Sequence, residues 1–220
     1  MTADQRSRRA VVACLATYGA VYLCWSAWRV YIAPEIASVD GFYWFDAFLK
    51  SLIWVGPFLI AFILKKGCWL ESPGRVFCTS FPFVPLLAML CATVCFLYTV
   101  RVANGLQSTL VIWDWHFLVF SLCTGFIEEI SFRGFFFNRM AKPMGVAPAA
   151  LVNGVLFALY HYPEVIMSFQ FDGIFSWRFV MLYVVGVLFC LAFARWRNLW
   201  LTIIVHSVWN LISYLWALAG

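Results

Sequence analysis

Glu128, Glu129 and Arg133 lie close together in the apolar run Phe126-Ile127-Glu128-Glu129-Ile130-Ser131-Phe132-Arg133-Gly134-Phe135-Phe136-Phe137. An ionisable group held at bilayer depth costs roughly 2.5–3.5 kcal/mol on insertion scales. A chain that accepts three of them side by side is expected to use them. Two histidines have comparably apolar surroundings: His161 in Phe157-Ala158-Leu159-Tyr160-His161, and His206 in His206-Ser207-Val208-Trp209-Asn210. A carboxylate in a low-dielectric pocket is suited to take a proton from water, and an imidazole to position that water. A histidine and an asparagine on one helix face can donate to a developing oxyanion, a large electrostatic contribution in acyl transfer. Together these parts fit hydrolysis of an amide bond within a membrane.

Helical spacing sorts the groups. Glu129 and Arg133 are four apart, share a face and can neutralise each other. Glu128 then points about 100° away around the helix, free for other work. Phe157 and His161 also share a face, as do His206 and Asn210. His116, between Trp115 and Phe117, reads as an interfacial residue outside the chemistry.

The elements that must position these groups follow from composition. Only 11% of the 220 residues are charged, against about 25% in a soluble domain. Continuous rather than alternating apolar runs argue for helices and against a β-barrel. The expected fold is all-α, a polytopic membrane bundle of about seven transmembrane helices forming one domain over 1–220. At about 20 residues per span, they fall near 10–33, 42–64, 80–101, 111–138, 147–168, 178–194 and 199–218. Breaks are expected at Pro34-Glu35, Lys65-Lys66-Gly67, Ser72-Pro73-Gly74, Asn104-Gly105, Lys142-Pro143, Asp172-Gly173 and Arg197-Asn198. The run Ala10 to Ile32 is longer than a signal-peptide core and reads as an uncleaved first span.

The net charge of +5 comes from basic residues between apolar runs, which reads as topology and not as a nucleic-acid surface. Arg6, Arg8, Arg9, Lys65, Lys66, Arg75, Arg139, Lys142, Arg195 and Arg197 would face the cytoplasm; Glu35, Asp40, Glu164 and Asp172 would face out. On these spans, bringing Glu128, His161 and His206 to one depth requires the fifth helix to begin nearer Leu151.

In order, Glu128-Glu129-x-x-x-Arg133, Phe157-x-x-x-His161 and His206-x-x-x-Asn210 resemble the three motifs of the CPBP (CAAX protease and bacteriocin-processing, or Abi) family, which includes the type II CAAX prenyl endopeptidases. The resemblance covers about the last half of the chain, with a catalytic core over 111–220. It implies an intramembrane endopeptidase of glutamic type. Glu128 would activate water with help from His161, while His206 and Asn210 would form the oxyanion hole. Glu129 and Arg133 would support them, and Phe157 would pack beside His161. The substrate implied is a membrane-anchored protein or peptide in a bacterial inner membrane. Some bacterial relatives process carboxyl-terminal sorting helices, in the manner of the myxosortase-like enzymes; others serve bacteriocin maturation or immunity.

Two other readings use the same residues. Two histidines and a glutamate are a zinc donor set with a fourth position open for water, although no His-Glu-x-x-His helix is present. The reading adopted has no cofactor, with zinc as its alternative. A polar core of this kind also suits a transport path or a peptide-binding scaffold, yet no inverted repeats are recognisable.

Overall fold

A computed structural model describes residues 3–38, 41–64, 69–103, 115–163 and 177–217. The breaks expected at Lys65-Lys66-Gly67, Asn104-Gly105 and Asp172-Gly173 lie outside these residues, as do Asp40, Glu164 and the side chain of His116. The described residues are helical with no strand, as the apolar runs require. Helix α1 (Ala3–Ala27) continues through a π turn (Trp28–Ile32) into the short α2 (Ala33–Ile36). Helix α3 spans Phe42–Ile63 and α4 Phe83–Ala103. Helix α5 (Trp115–Glu129) runs on through a π segment (Ile130–Phe137) into α6 (Asn138–Met144). Then come α7 (Val146–Tyr160), α8 (Trp177–Trp196) and α9 (Leu199–Ala217).

The expected seven spans thus appear as seven helical stretches, with three corrections. The first stretch does not break at Pro34: the helix passes through it from the π turn into α2 and ends at Ile36. The fourth stretch runs past residue 138 to Met144 and turns at Gly145, whose φ is 87°. Pro143 sits in its last turn, and glycine takes the positive φ that ends it. The fifth stretch is interrupted within its expected bounds: α7 ends at Tyr160 and His161 is its cap, while the expected end at 168 lies outside the described residues.

Four of the stretches are long and apolar enough to cross a membrane: Ser7–Ile36, Trp44–Ile63, Phe83–Ala103 and Trp177–Trp196. Leu23, Ile63 and Val84 are each at least two-thirds exposed on them, the outward apolar surface of a protein solvated by lipid. The chain is an integral membrane protein. Inside, packing and hydrogen bonds hold the helices, because lipid tails are as apolar as the side chains they would release. Tyr18, Trp54, Phe132 and Tyr160 form an edge-and-face cluster from α1, α3, the π segment and α7, with Trp54–Tyr160 centroids 4.7 Å apart. The Tyr18 hydroxyl donates to the Leu156 carbonyl at 2.7 Å, which ties α1 to α7.

Helix α7 packs mainly on α8, and α9 on α5. The first crossing is backbone-close, because Gly154 and Gly186 meet there. A Cβ on Gly154 would stand 2.7 Å from Val187 Cγ2 and 3.0 Å from the Tyr183 carbonyl. Gly154→Val is therefore expected to force α7 off α8 and lower stability by about 1–3 kcal/mol, read as thermal unfolding in detergent. A midpoint equal to that of wild type would show that the crossing can relax.

Candidate active site

Helices α5, α7 and α9 deliver the three motifs to one place. Glu128 Oε2 lies 3.5 Å from His206 Nε2 and 4.0 Å from His161 Nε2. This meets the expectation of a shared depth without the late start near Leu151. The relevant ruler is the turn at Gly145, which α6 and α7 share. Glu128 lies 16 residues before Met144 and His161 lies 15 after Val146, about 24 and 22 Å at 1.5 Å per residue. His206 is only seven residues into α9, but α9 begins inside the protein. Leu199 and Asn198 are buried, covered by the segment 69–82. The Leu199 N–H donates to the Val76 carbonyl at 2.8 Å, and Asn198 Nδ2 to the Thr79 carbonyl at 3.0 Å.

Each imidazole has one nitrogen committed. His161 Nδ1 is 2.9 Å from the Phe157 carbonyl, which can only accept, so the proton is on Nδ1 and Nε2 faces Glu128. His206 Nδ1 is 2.7 Å from Glu129 Oε1, which turns its Nε2 toward Glu128 in the same way. Second partners of this kind fix tautomer and ring orientation. Glu129 is therefore not turned away from the site as the 100° step suggested, because His206 spans both carboxylates.

The Glu129–Arg133 pair forms as its spacing predicts, with Arg133 Nη1 2.9 Å from Glu129 Oε1 and both side chains fully buried. Arg133 Nη2 also donates to the Gly186 carbonyl at 3.3 Å. Its guanidinium lies 4.5 Å from the Phe157 ring centre, and Phe157 in turn stands edge-on to His161 at 5.0 Å and to His206 at 5.9 Å. Arg133 lies in the π segment, a widened turn that is rare in helices and frequent at functional sites.

Asn210 and His161 line a cavity of about 470 Å³ with Glu128, within the range of ligand-sized sites. Arg29, Asp46, Lys50 and Arg178 line it too. Met181 and Trp209 belong both to this cavity and to an apolar groove of about 630 Å³ between α4, α8 and α9. Among the described residues, no three His, Cys, Asp or Glu side chains are grouped as a metal centre requires.

Two residues at the centre were missed in the sequence. Lys50 Nζ, from α3, donates to Glu128 Oε1 at 2.8 Å. The Tyr160 hydroxyl donates to the same oxygen at 3.1 Å. Lys50 carried the signal that singled out Glu128, a charge inside an apolar run, and was passed over because it belongs to no late motif. Tyr160 directly precedes His161 but falls at no motif position.

The chemistry available is proton transfer at one carboxylate, flanked by two oriented imidazoles, in a cavity that shares Met181 and Trp209 with the apolar groove. No curated protein and no solved structure matches this chain. The family model described as type II CAAX prenyl endopeptidase Rce1-like matches residues 110–212, the stretch that supplies Glu128, His161, His206 and Asn210. Over that stretch the chain is similar to the Rce1-like type II CAAX prenyl endopeptidases, a family of membrane proteases.

Proposed function

We propose that the chain is a glutamic-type intramembrane endopeptidase that cuts a peptide bond of a membrane-anchored protein or peptide, with Glu128 activating the water. One observation carries this reading: Glu128 Oε2 and His161 Nε2 stand 4.0 Å apart while His161 Nδ1 is bound to the Phe157 carbonyl. A single water at about 2.8 Å from each would be held at an included angle near 90°, close to its own. Both its protons would then be accepted and its lone pairs turned toward a substrate carbonyl. Glu128 takes one proton as general base. The Asn210 amide and, four residues away on α9, Nε2 of a His206 protonated at both ring nitrogens between the two carboxylates are the donors for the oxyanion. Glu129 and Arg133 stand behind His206 and set its orientation.

The reading needs no metal. The Lys50 ammonium 2.8 Å from Glu128 places a fixed positive charge beside the position a zinc ion would share, and Arg133 does the same at Glu129. The mostly apolar groove beside the cavity supports a substrate with an apolar anchor, of which a carboxyl-terminal sorting helix is one form. On this reading the chain is one membrane-embedded unit in a bacterial inner membrane, its amino terminus cytoplasmic. Supporting that orientation, Lys142 and Arg195 lie in the last turns of α6 and α8. The segment carrying Arg75 is tied to Asn138 and Arg197 at the same end.

The test is cleavage of membrane-anchored peptides by purified protein, with and without a zinc chelator. Cleavage is expected to survive chelation. His161→Ala is expected to lower kcat by about 100-fold, the low end for a lost acid–base partner. Activity abolished by chelation and restored by zinc would transfer the water to a metal.

A further inference from the structure

Lys50 lies in α3, outside the stretch the family model covers, and a lysine at membrane depth is costly enough to demand a partner. Its partner is Glu128, at 2.8 Å, with side-chain exposures of 9% and 5%. The ammonium is 5.9 Å from the Trp25 ring centre and 5.4 Å from that of Tyr160, so aromatic faces complete its shell. The two oxygens of Glu128 are treated differently. Oε1 accepts from Lys50 and Tyr160. Oε2, fully buried, makes no hydrogen bond among the described residues and faces the two imidazoles.

We propose that Lys50, assisted by Tyr160, is a positioning residue that clamps Oε1 of Glu128 and reserves Oε2 for the proton of the attacking water. The proposal rests on the reading of Glu128 as the base. Without the clamp the carboxylate rotates freely, since its terminal torsion is broad. The clamp also supplies the charge that shapes the step. As the water oxygen bonds to the peptide carbon, one water O–H bond breaks and its proton moves to Oε2. The carbonyl pair meanwhile moves onto oxygen. Glu128 is then neutral, and a buried ammonium 2.8 Å away has lost its counter-charge. When the oxyanion pair returns to re-form the C=O bond the C–N bond breaks, and its pair stays on nitrogen, which takes the proton from Oε2 and restores the carboxylate–ammonium pair. Lys50 keeps its own protons throughout.

A simple strut between α3 and α5 would look the same in outline, so the test separates chemistry from folding. Wild type, Lys50→Met, Lys50→Arg, Tyr160→Phe and Glu128→Gln are reconstituted in vesicles with an anchored peptide that wild type cuts. Expected is a kcat about 100-fold lower for Lys50→Met, the scale of a misplaced reacting group, with KM within about threefold. Lys50→Arg recovers most of that loss, because a cation again reaches Oε1. Should Lys50→Met not fold, Tyr160→Phe removes the other donor and keeps the ring. Its kcat is then expected to fall several-fold at constant KM. Overturning results are a Lys50→Met kcat near wild type, a rise in KM alone, a loss in both Lys50 variants that follows the folded fraction, or an unchanged Tyr160→Phe kcat where Lys50→Met does not fold. If Glu128→Gln stays active, the reading of Glu128 fails first; if it is dead while Lys50→Met is not, only the clamp fails.

Discussion

Glu128→Gln is expected to lower cleavage by at least about 1,000-fold, within the span attributed to general acid–base groups. The amide keeps the shape and an oxygen for the Lys50 and Tyr160 donors, but it cannot take a proton from water. The substitution also leaves the Lys50 ammonium buried without a counter-charge. Breaking a buried pair from one side costs about 3–5 kcal/mol, so a loss of activity alone would be ambiguous. Lys50→Met combined with Glu128→Gln removes both charges. This double variant is expected to recover the stability lost by Glu128→Gln and to remain inactive. The two residues are in contact, so their effects on stability will not add. Cleavage and unfolding midpoint measured on the same preparations decide the matter. Activity of Glu128→Gln within tenfold of wild type would remove Glu128 from the chemistry.

Arg133→Met is expected to give the largest loss of stability, about 3–5 kcal/mol. It strands Glu129 in an interior where both side chains are fully buried. It also unpairs the Gly186 carbonyl from Nη2 and empties the space over Phe157 and Phe189, whose ring centres are 4.5 and 5.1 Å from the guanidinium. Lysine is a poor replacement, since a compact ammonium cannot reach both Glu129 and Gly186 in the planar fork that arginine offers. Glu129→Gln with Arg133→Met is expected to regain part of the loss without restoring activity, because His206 loses the carboxylate at Nδ1. Unfolding of the three variants in detergent checks this order. An Arg133→Met variant within about 1 kcal/mol of wild type would make the pair a peripheral contact.

The bundle was legible in the sequence wherever an uninterrupted apolar run had to satisfy its own backbone. The stretches Phe42–Ile63, Trp177–Trp196 and Leu199–Ala217 lie within a few residues of their expected bounds. Turn chemistry also placed the break at Arg197-Asn198, where Arg197 adopts a φ of 55° after α8. Local signals failed where tertiary contacts take over. Nothing in the residue types of Ile130–Phe137 announces a π segment. The end of α7 at Tyr160 carries no Gly or Pro before Pro163; His161 caps it by folding Nδ1 back onto the Phe157 carbonyl. Depth failed for a similar reason, since it was counted from span ends that the fold does not use.

Within the site, spacing alone gave the Glu129–Arg133 pair and the shared faces of Phe157 with His161 and of His206 with Asn210. Spacing could not show that His206 would bridge Glu128 and Glu129, which depends on how α9 is seated over the segment 69–82. Lys50 was visible as a charge within Phe42–Ile63 but had no partner until α3 was placed against α5. That contact crosses 78 residues of sequence, beyond any local pattern.

The most direct measurement is the oxygen content of the new carboxyl terminus. Purified enzyme in excess over an anchored peptide is allowed one turnover in water enriched in heavy oxygen, and the products are weighed by mass spectrometry. If Glu128 activates water, the first product already carries one solvent oxygen, and Glu128→Gln yields no product. A first product without solvent oxygen, with the label left in Glu128 after that turnover, would make the carboxylate a nucleophile and contradict its role as base.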